Sequence, residues 1–306
     1  MTLRSGLLTL ALLASTTLAT AETVKINISG SDTMNLLTQR LAEEYKKKNP
    51  HVEISVRGGG SGTGIADLLN GLVDMAQSSR KMKEKELTTA TENGYTPEEH
   101  IIALDGIAIA VHESNPVKTL TISQVRALYT GAVKNWNQLD PSLPNAPVVL
   151  YSRESNCGTY DFFKETVMKD STFAPNTSYL AATAAIANSV SKEPNSIGFG
   201  GVAYFVRPEG LKVVPISKEK DSPAVSPIDE VHHHVNLAVI QDGSYPISRP
   251  LQYYTPDAAT GEVLSFLNWI KGPEGQAVVL KEEFIPLGKT AAPTEEAAPA
   301  AEATTN

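Results

Sequence analysis

The sequence predicts an α/β fold built on parallel strands. Three observations carry that prediction. The first 80 residues alternate short apolar runs with amphipathic stretches in a βαβαβ rhythm, the signature of a parallel sheet covered by helices. The chain has 306 residues, enough for about two domains of ordinary size. Two apolar segments, 101–111 and 249–255, are suited to carry the chain from one domain to the other.

Taken in order, VKINI at 24–28 reads as a strand and Ser29 to Thr33 as a polar turn. Met34, Leu37, Leu41 and Tyr45 then recur at helical spacing, so 34–48 is a helix, and Lys46, Lys47 and Lys48 suit its negative C-terminal end. VEISV at 52–56 alternates as a strand does. A Gly-rich turn, 57–64, opens a helix over 65–72, and 73–77 is a third strand. Residues 101–111 form one long strand interrupted by Asp105-Gly106. A helix at 121–130, a strand at 148–152, helices at 160–168 and 180–191, and a strand at 197–200 follow. After the second crossing strand, helices at 261–270 and 273–282 close the fold.

The ends stand apart from this body. Residues 1–21 carry a basic Arg4, a short apolar run at 6–14 and the small-x-small site Ala19-Thr20-Ala21, the pattern of a cleaved secretory signal. The run is too short to cross a bilayer. Residues 290–306 contain only Ala, Pro, Thr, Glu and Asn, without a large apolar side chain, and read as a disordered acidic tail. An exported chain without disulfides points to a bacterial periplasm. Its one cysteine, Cys157, allows no intrachain bridge.

Composition narrows the function classes. With 41% hydrophobic and 20% charged residues the chain is an ordinary globular protein, neither disordered nor collagen-like. Its formal charge of −8 argues against nucleic acid as a partner. Loss of residues 1–21, with Arg4 and no acid, makes the mature chain more acidic still. Taken alone, that charge would argue against any anionic ligand and predicts slow, unsteered capture of one.

Local chemistry points the other way. Three segments share one design, a buried strand, a Ser/Thr/Gly turn and a helix start: Ser31-Asp32-Thr33, Gly60-Ser61-Gly62-Thr63 and Cys157-Gly158-Thr159. Each offers backbone N–H groups at the positive end of a helix dipole, and each adds hydroxyl or thiol groups. A single such turn is ordinary capping. Three in one chain suggest convergence on one small tetrahedral anion. The Gly58–Gly64 stretch lacks the Lys-Ser/Thr ending of a P-loop and the spacing and distal acid of a dinucleotide site.

The ordered set ISGSDTM (28–34), RGGGSGTGI (57–65), DMAQSSR (74–80) and RESNCGTYDFF (153–163) resembles the phosphate-binding proteins of bacterial phosphate ABC transporters. TGAVKNW (130–136), YPISRPL (245–251) and SFLNWIKGPEGQ (265–276) agree, so the resemblance spans 24–288. It implies a type II periplasmic-binding-protein fold of two α/β lobes joined by two hinge strands. Lobe I would be 22–105 with 248–289, and lobe II 106–247. The ligand, inorganic phosphate, would lie between the lobes and be passed to an inner-membrane ABC permease by a periplasmic monomer without cofactor or metal. The implied ligand groups are Ser31, Asp32, Thr33 and Met34; Ser61, Gly62 and Thr63; Ser79 and Arg80; and Arg153, Cys157, Gly158 and Thr159. Arg153 suits the role because its planar fork can hold two oxygens.

Two departures from the family pattern matter. Where many members place an aspartate that accepts the proton of hydrogen phosphate, this chain has Ser79, which relaxes discrimination against sulfate unless Asp32 or Glu154 takes the role. Where a serine is usual, it has Cys157, a weaker donor. Other oxyanions (sulfate, arsenate, molybdate, tungstate) are therefore the alternative ligands.

Rival readings rest on less. Cys157 at a helix start near Arg153 has the setting of reactive cysteines, but no base with an orienting carboxylate is evident for a phosphatase-like hydrolase. A sensory or adhesive surface protein using the same lobes would treat the tail as a spacer. His232-His233-His234 lacks a second ligand cluster and reads as a solvated run. Trp136, Tyr253 and Tyr254 read as core or hinge packing, and KMKEK at 81–85 as a solvated helix face.

Overall fold

Ile26 and Ile28 alternate with exposed Lys25 and Asn27, the half-buried pattern that makes a strand. In the computed structural model, which describes residues 23–229 and 231–288, this is β1 (Val24–Gly30). The expected signal segment and acidic tail lie outside the described residues. α1 (Asp32–Lys48) buries Met34, Leu37, Leu41 and Tyr45 on one face. β2 (Val52–Arg57), α2 (Ser61–Leu69), β3 (Met75–Ser78) and α3 (Glu84–Glu92) complete the first unit. The 15-residue β4 (Glu98–His112) leads into β5 (Leu120–Thr121), α4 (Ile122–Tyr129), β6 (Val149–Arg153), α5 (Gly158–Thr166), β7 (Ser178–Leu180), α6 (Thr183–Val190) and β8 (Ser196–Gly201). Short elements follow: β9 (Leu211–Val213), β10 (Ile216–Ser217), β11 (Ile228–Asp229), β12 (His234–Val235) and α7 (Leu237–Gln241). The chain returns through β13 (Ser248–Thr255) and ends in α8 (Gly261–Lys271) and α9 (Pro273–Lys281).

The main sheet has the order β2-β1-β3-β13-β4-β8-β6-β7, with β9 beside the far end of β4. The expected parallel pairing holds for β2-β1-β3 and for β8-β6-β7. Both crossing strands run antiparallel to their neighbours, so the sheet is mixed. β4 changes partner at Asp105-Gly106. Up to Gly106 it pairs with β13, and from Ile107 it pairs with β8. The core changes with it. Ile102 and Ala103 pack with Leu37, Leu41, Tyr253 and Phe266, whereas Ile107 to Val111 pack with Tyr129, Trp136, Phe163 and Phe199. Two α/β bodies therefore share one strand, and β13 joins them a second time.

Three elements differ from the sequence reading. α2 starts at Ser61 rather than 65, because Gly60 at φ +91° makes the turn and frees Ser61-Gly62-Thr63 for the first helical turn. The helix expected at 180–191 is shorter, 183–190, since 178–180 is taken as an edge strand by β6. Lys81 and Lys83 precede α3 rather than lie on it. Its start is set by Glu86, whose carboxylate accepts the Lys83 N–H at 2.7 Å. Trp136, Tyr253 and Tyr254 are buried, as core and hinge packing requires.

Candidate functional site

β1, β2 and β6 each end in a tight turn followed by a helix. At the first, Gly30 adopts φ +135°, and an added Cβ would strike the Gln77 carbonyl. Ser31 N–H donates to that carbonyl at 2.8 Å, which ties the turn to β3. At the second, Gly60 N–H donates to Gly30 O at 2.9 Å. At the third, Cys157 N–H closes back on Glu154 O at 3.1 Å, and α5 begins at Gly158.

The three helix starts meet. Gly62 N–H of α2 donates to Asn156 O at 3.1 Å, and Asn156 Nδ2 returns a bond to Gly59 O at 2.9 Å. Thr33 Oγ1 of α1 lies 3.0 Å from Thr159 Oγ1 of α5. Ser31 Oγ donates to Ser79 Oγ at 3.0 Å, Ser61 Oγ lies 3.3 Å from it, and Ser79 N–H donates to Ser61 Oγ at 3.1 Å. All five hydroxyl residues are buried. Gly158 sits against Ser61 and Ser79 with no room for a side chain. Hydroxyls and helix N–H dipoles thus crowd one point, a donor-rich setting for a compact anion.

The charges are arranged differently from expectation. Arg153 is fully buried, but its guanidinium is committed: Nε to Leu180 O at 3.2 Å, Nη1 to Thr183 Oγ1 at 2.8 Å, and Nη2 to Ala181 O at 2.6 Å and Asp32 Oδ2 at 2.8 Å. It joins the two bodies by gripping the first residue of α1. Asp32 has both oxygens engaged, since Oδ1 accepts from Gly59 N–H at 2.9 Å. Glu154 is exposed. Arg80 turns away toward Glu86.

The sequence reading missed Arg249. From β13 it reaches the cluster, with Nη2 2.9 Å from Thr159 Oγ1 and 3.3 Å from Thr33 Oγ1, and Nη1 donating to Ser79 O at 3.0 Å. Its counter-charge is Asp105, opposite it on β4. Burial pushes the Asp105 carboxyl up, and Arg249 opposes that shift. The signal was in the sequence: Asp105 interrupts the apolar run 101–111, Arg249 opens the second crossing strand, and a buried charge demands a partner.

The remaining candidates divide. Met34 is buried in the core, and its N–H donates to Ser31 O at 3.2 Å. Thr63 is exposed and turns its hydroxyl to Gly59 O at 2.7 Å, outside the cluster. Cys157 is buried at the start of α5, and its side chain makes no capping bond. In the histidine run, His232 lies 2.9 Å from Asp229 Oδ2 and His234 2.9 Å from Glu283 Oε1. The bond from His232 holds Asp229 down at about 2. Among the described residues no group of three His, Cys, Asp or Glu is placed to hold a metal ion.

Comparison with known proteins agrees with this architecture. A PBP superfamily domain matches residues 15–274. The phosphate-binding protein PstS of Pseudomonas aeruginosa is 34% identical over 273 residues, covering 84% of this chain and 81% of that protein. PstS of Staphylococcus epidermidis is 33% identical over 253 residues, covering 81% and 74%. A Clostridium perfringens protein assigned as a phosphate ABC transporter substrate-binding protein, solved with phosphate bound, superposes with a TM-score of 0.74 at 29% identity, over 86% of this chain and all of that one. An ABC-type phosphate transport receptor of Vibrio cholerae gives 0.68 at 25% identity, over 85% and 99%. With its three strand-turn-helix units meeting between two bodies, the chain belongs to the PBP superfamily and, within it, to the PstS phosphate-binding proteins.

Proposed function

We propose that this protein captures inorganic phosphate and delivers it to the membrane permease of an ABC transporter. The observation that carries the reading is the meeting of the α1, α2 and α5 starts at the buried hydroxyls of Ser31, Thr33, Ser61, Ser79 and Thr159. Phosphate would exchange its hydration shell for these hydroxyls and the helix N–H groups, with Arg249 supplying positive charge beneath them. Because the donors come from both bodies, an anion bound between them favours the closed arrangement through its differential affinity for it. The protein acts as a binder and breaks no bond. We further propose lobes of 22–105 with 248–289 and of 106–247, export to the periplasm, and a monomer in solution.

Ser79 stands among the hydroxyls where a carboxylate would accept the ligand's proton, and Asp32 is held by Arg153 and Gly59. Discrimination between phosphate and sulfate should therefore be weaker than a buried free carboxylate would give. Isothermal titration with phosphate and with sulfate from pH 6 to 8 tests the reading. Heat with phosphate supports it. Silence with phosphate and tight binding of sulfate or tungstate would overturn it, and phosphomonoester turnover lost in Cys157→Ser would favour a hydrolase.

A further inference from the structure

Arg80 belongs to a second charged cluster, outside the anion site. Its Nη1 and Nη2 donate to the two oxygens of Glu86 at 2.8 and 2.7 Å, and Nη1 also to Lys81 O at 2.8 Å. Its Nε lies 2.9 Å from Asp161 Oδ2, and Lys83 Nζ lies 2.7 Å from the same oxygen. Arg80, Lys83 and Glu86 are on the β3–α3 side, whereas Asp161 is on α5 in the other body. The Arg80, Asp161 and Glu86 side chains are 7%, 17% and 20% exposed, well withdrawn from solvent, while Lys83 is 54% exposed. The cluster borders a cavity of about 670 Å³ between the bodies, with Phe162 and Arg249 also on its wall.

We propose that Arg80, Lys83 and Asp161 form a closure latch that sets how long a bound anion is retained. The proposal rests on the phosphate reading of the site. The Asp161 contacts exist only when α5 approaches β3, so their energy differs between open and closed arrangements, which is the property that shifts such an equilibrium. Glu86 holds Arg80 in place from its own side. Burial works against the Arg80 charge, but Glu86 and Asp161 outweigh it and raise its pKa. The guanidinium is thus charged and fixed by Glu86, and it meets Asp161 as an ion pair rather than through an aligned Nε–H bond, so closure costs little ordering of that side chain. Withdrawal from solvent makes the pair less screened than a surface pair. The latch side chains make their bonds to one another, to Glu86 and to the Lys81 carbonyl rather than to the hydroxyls, so the latch acts on every bound anion alike: it slows release without choosing the ligand.

The test is stopped-flow phosphate release, with titration of phosphate and sulfate. Asp161→Asn should release phosphate about tenfold faster, with the on-rate within about twofold and the phosphate-to-sulfate ratio unchanged. Lys83→Gln, at an exposed position, should accelerate release about threefold, and the double variant should exceed Asp161→Asn only slightly. An unchanged release rate, or an altered phosphate-to-sulfate ratio, would overturn the latch. If circular dichroism shows Asp161→Asn unfolded, Lys83→Gln alone decides by the same criteria. If the wild type fails to bind phosphate, the functional reading falls by itself. The latch is then judged by small-angle scattering of the ligand-free proteins, where a larger radius of gyration in Asp161→Asn supports it and an equal one overturns it.

Discussion

Arg249 and Asp105 face each other across the two crossing strands, with Nη2 2.8 Å and Nε 3.1 Å from Asp105 Oδ2 and almost no solvent on either side chain. The pair sits where β4 changes partner, so it is anchored by both bodies. Removing one member strands the other: Arg249→Leu should cost about 3–5 kcal/mol. The loss should depend on pH. Without Arg249 the upward push of burial on Asp105, the largest influence on it, is opposed only by the Val202 N–H, so its folded pKa lies above the unfolded one. Stability is then retained at low pH and lost as pH rises beyond about 4. Urea unfolding of Arg249→Leu at pH 4.5 and 8 checks this, the greater loss being expected at pH 8. Arg249→Leu with Asp105→Leu should recover much of the deficit.

Gly158 defines how closely α5 can approach α2. An added Cβ would strike Ser61 Oγ and lie 2.6 Å from Ser79 Oγ. The backbone there is ordinary helix, but the methyl group has no room against the buried serines, so Gly158→Ala should lower the unfolding midpoint by an overpacking cost of about 1–3 kcal/mol. Phosphate affinity should fall by at least about tenfold, because the methyl group holds the helix starts apart. Calorimetry of unfolding and of binding on the same variant separates the two effects. An unchanged affinity would show that α5 does not close on the ligand.

Much of this fold was legible because its signals are local. The periods at 24–57 gave β1, α1 and β2 within two residues, and Asp105-Gly106 marked the place where β4 passes between cores. The Ser/Thr/Gly turns were legible as helix starts, and Ser31, Ser61, Ser79 and Thr159 do meet. What the sequence concealed is where long side chains end. Arg80, Arg153 and Arg249 all follow or enter buried strands. Only tertiary packing decides that Arg80 turns to Glu86, Arg153 to the 180–183 turn and Arg249 to the hydroxyls. The Thr63 side chain lies outside the cluster for a simpler reason: two residues along a helix from Ser61 turn a side chain by about 200°, enough to carry it from the cluster to solvent.

Glu86 makes an acid-sensitive contribution. Burial pushes its carboxyl up, but the Arg80 guanidinium and the Lys83 N–H more than offset that and hold it below the usual value. For an acid with a lowered folded pKa, the stabilisation is fully present above the unfolded pKa of about 4.3 and is lost as pH falls through the folded value. The wild type should therefore lose stability, as pH falls below about 4.3, more steeply than Glu86→Gln, whose curve should be lower at neutral pH and flatter in acid. Chemical unfolding midpoints at pH 3.5, 4.5 and 7 supply the comparison. Parallel curves would mean that the Arg80–Glu86 contact is energetically silent.

Cys157 occupies the N-cap of α5 in extended backbone, φ −83° and ψ 131°, yet its side chain accepts no bond from the helix. That geometry is the one in which a serine hydroxyl accepts from the second or third helical N–H. Cys157→Ser should raise stability by about 0.5–1 kcal/mol through the cap. The same hydroxyl keeps a proton to donate, and a hydroxyl donates better than a thiol, so phosphate affinity should rise about threefold. The native cysteine offers an independent check. It is 1% exposed, so a thiol reagent reaches it only when the bodies part or the chain opens locally. Phosphate should slow that labelling in proportion to its occupancy, because a ligand held between α1, α2 and α5 suppresses the parted state. Labelling that ignores phosphate, in a protein that binds it by titration, would place the anion away from the start of α5.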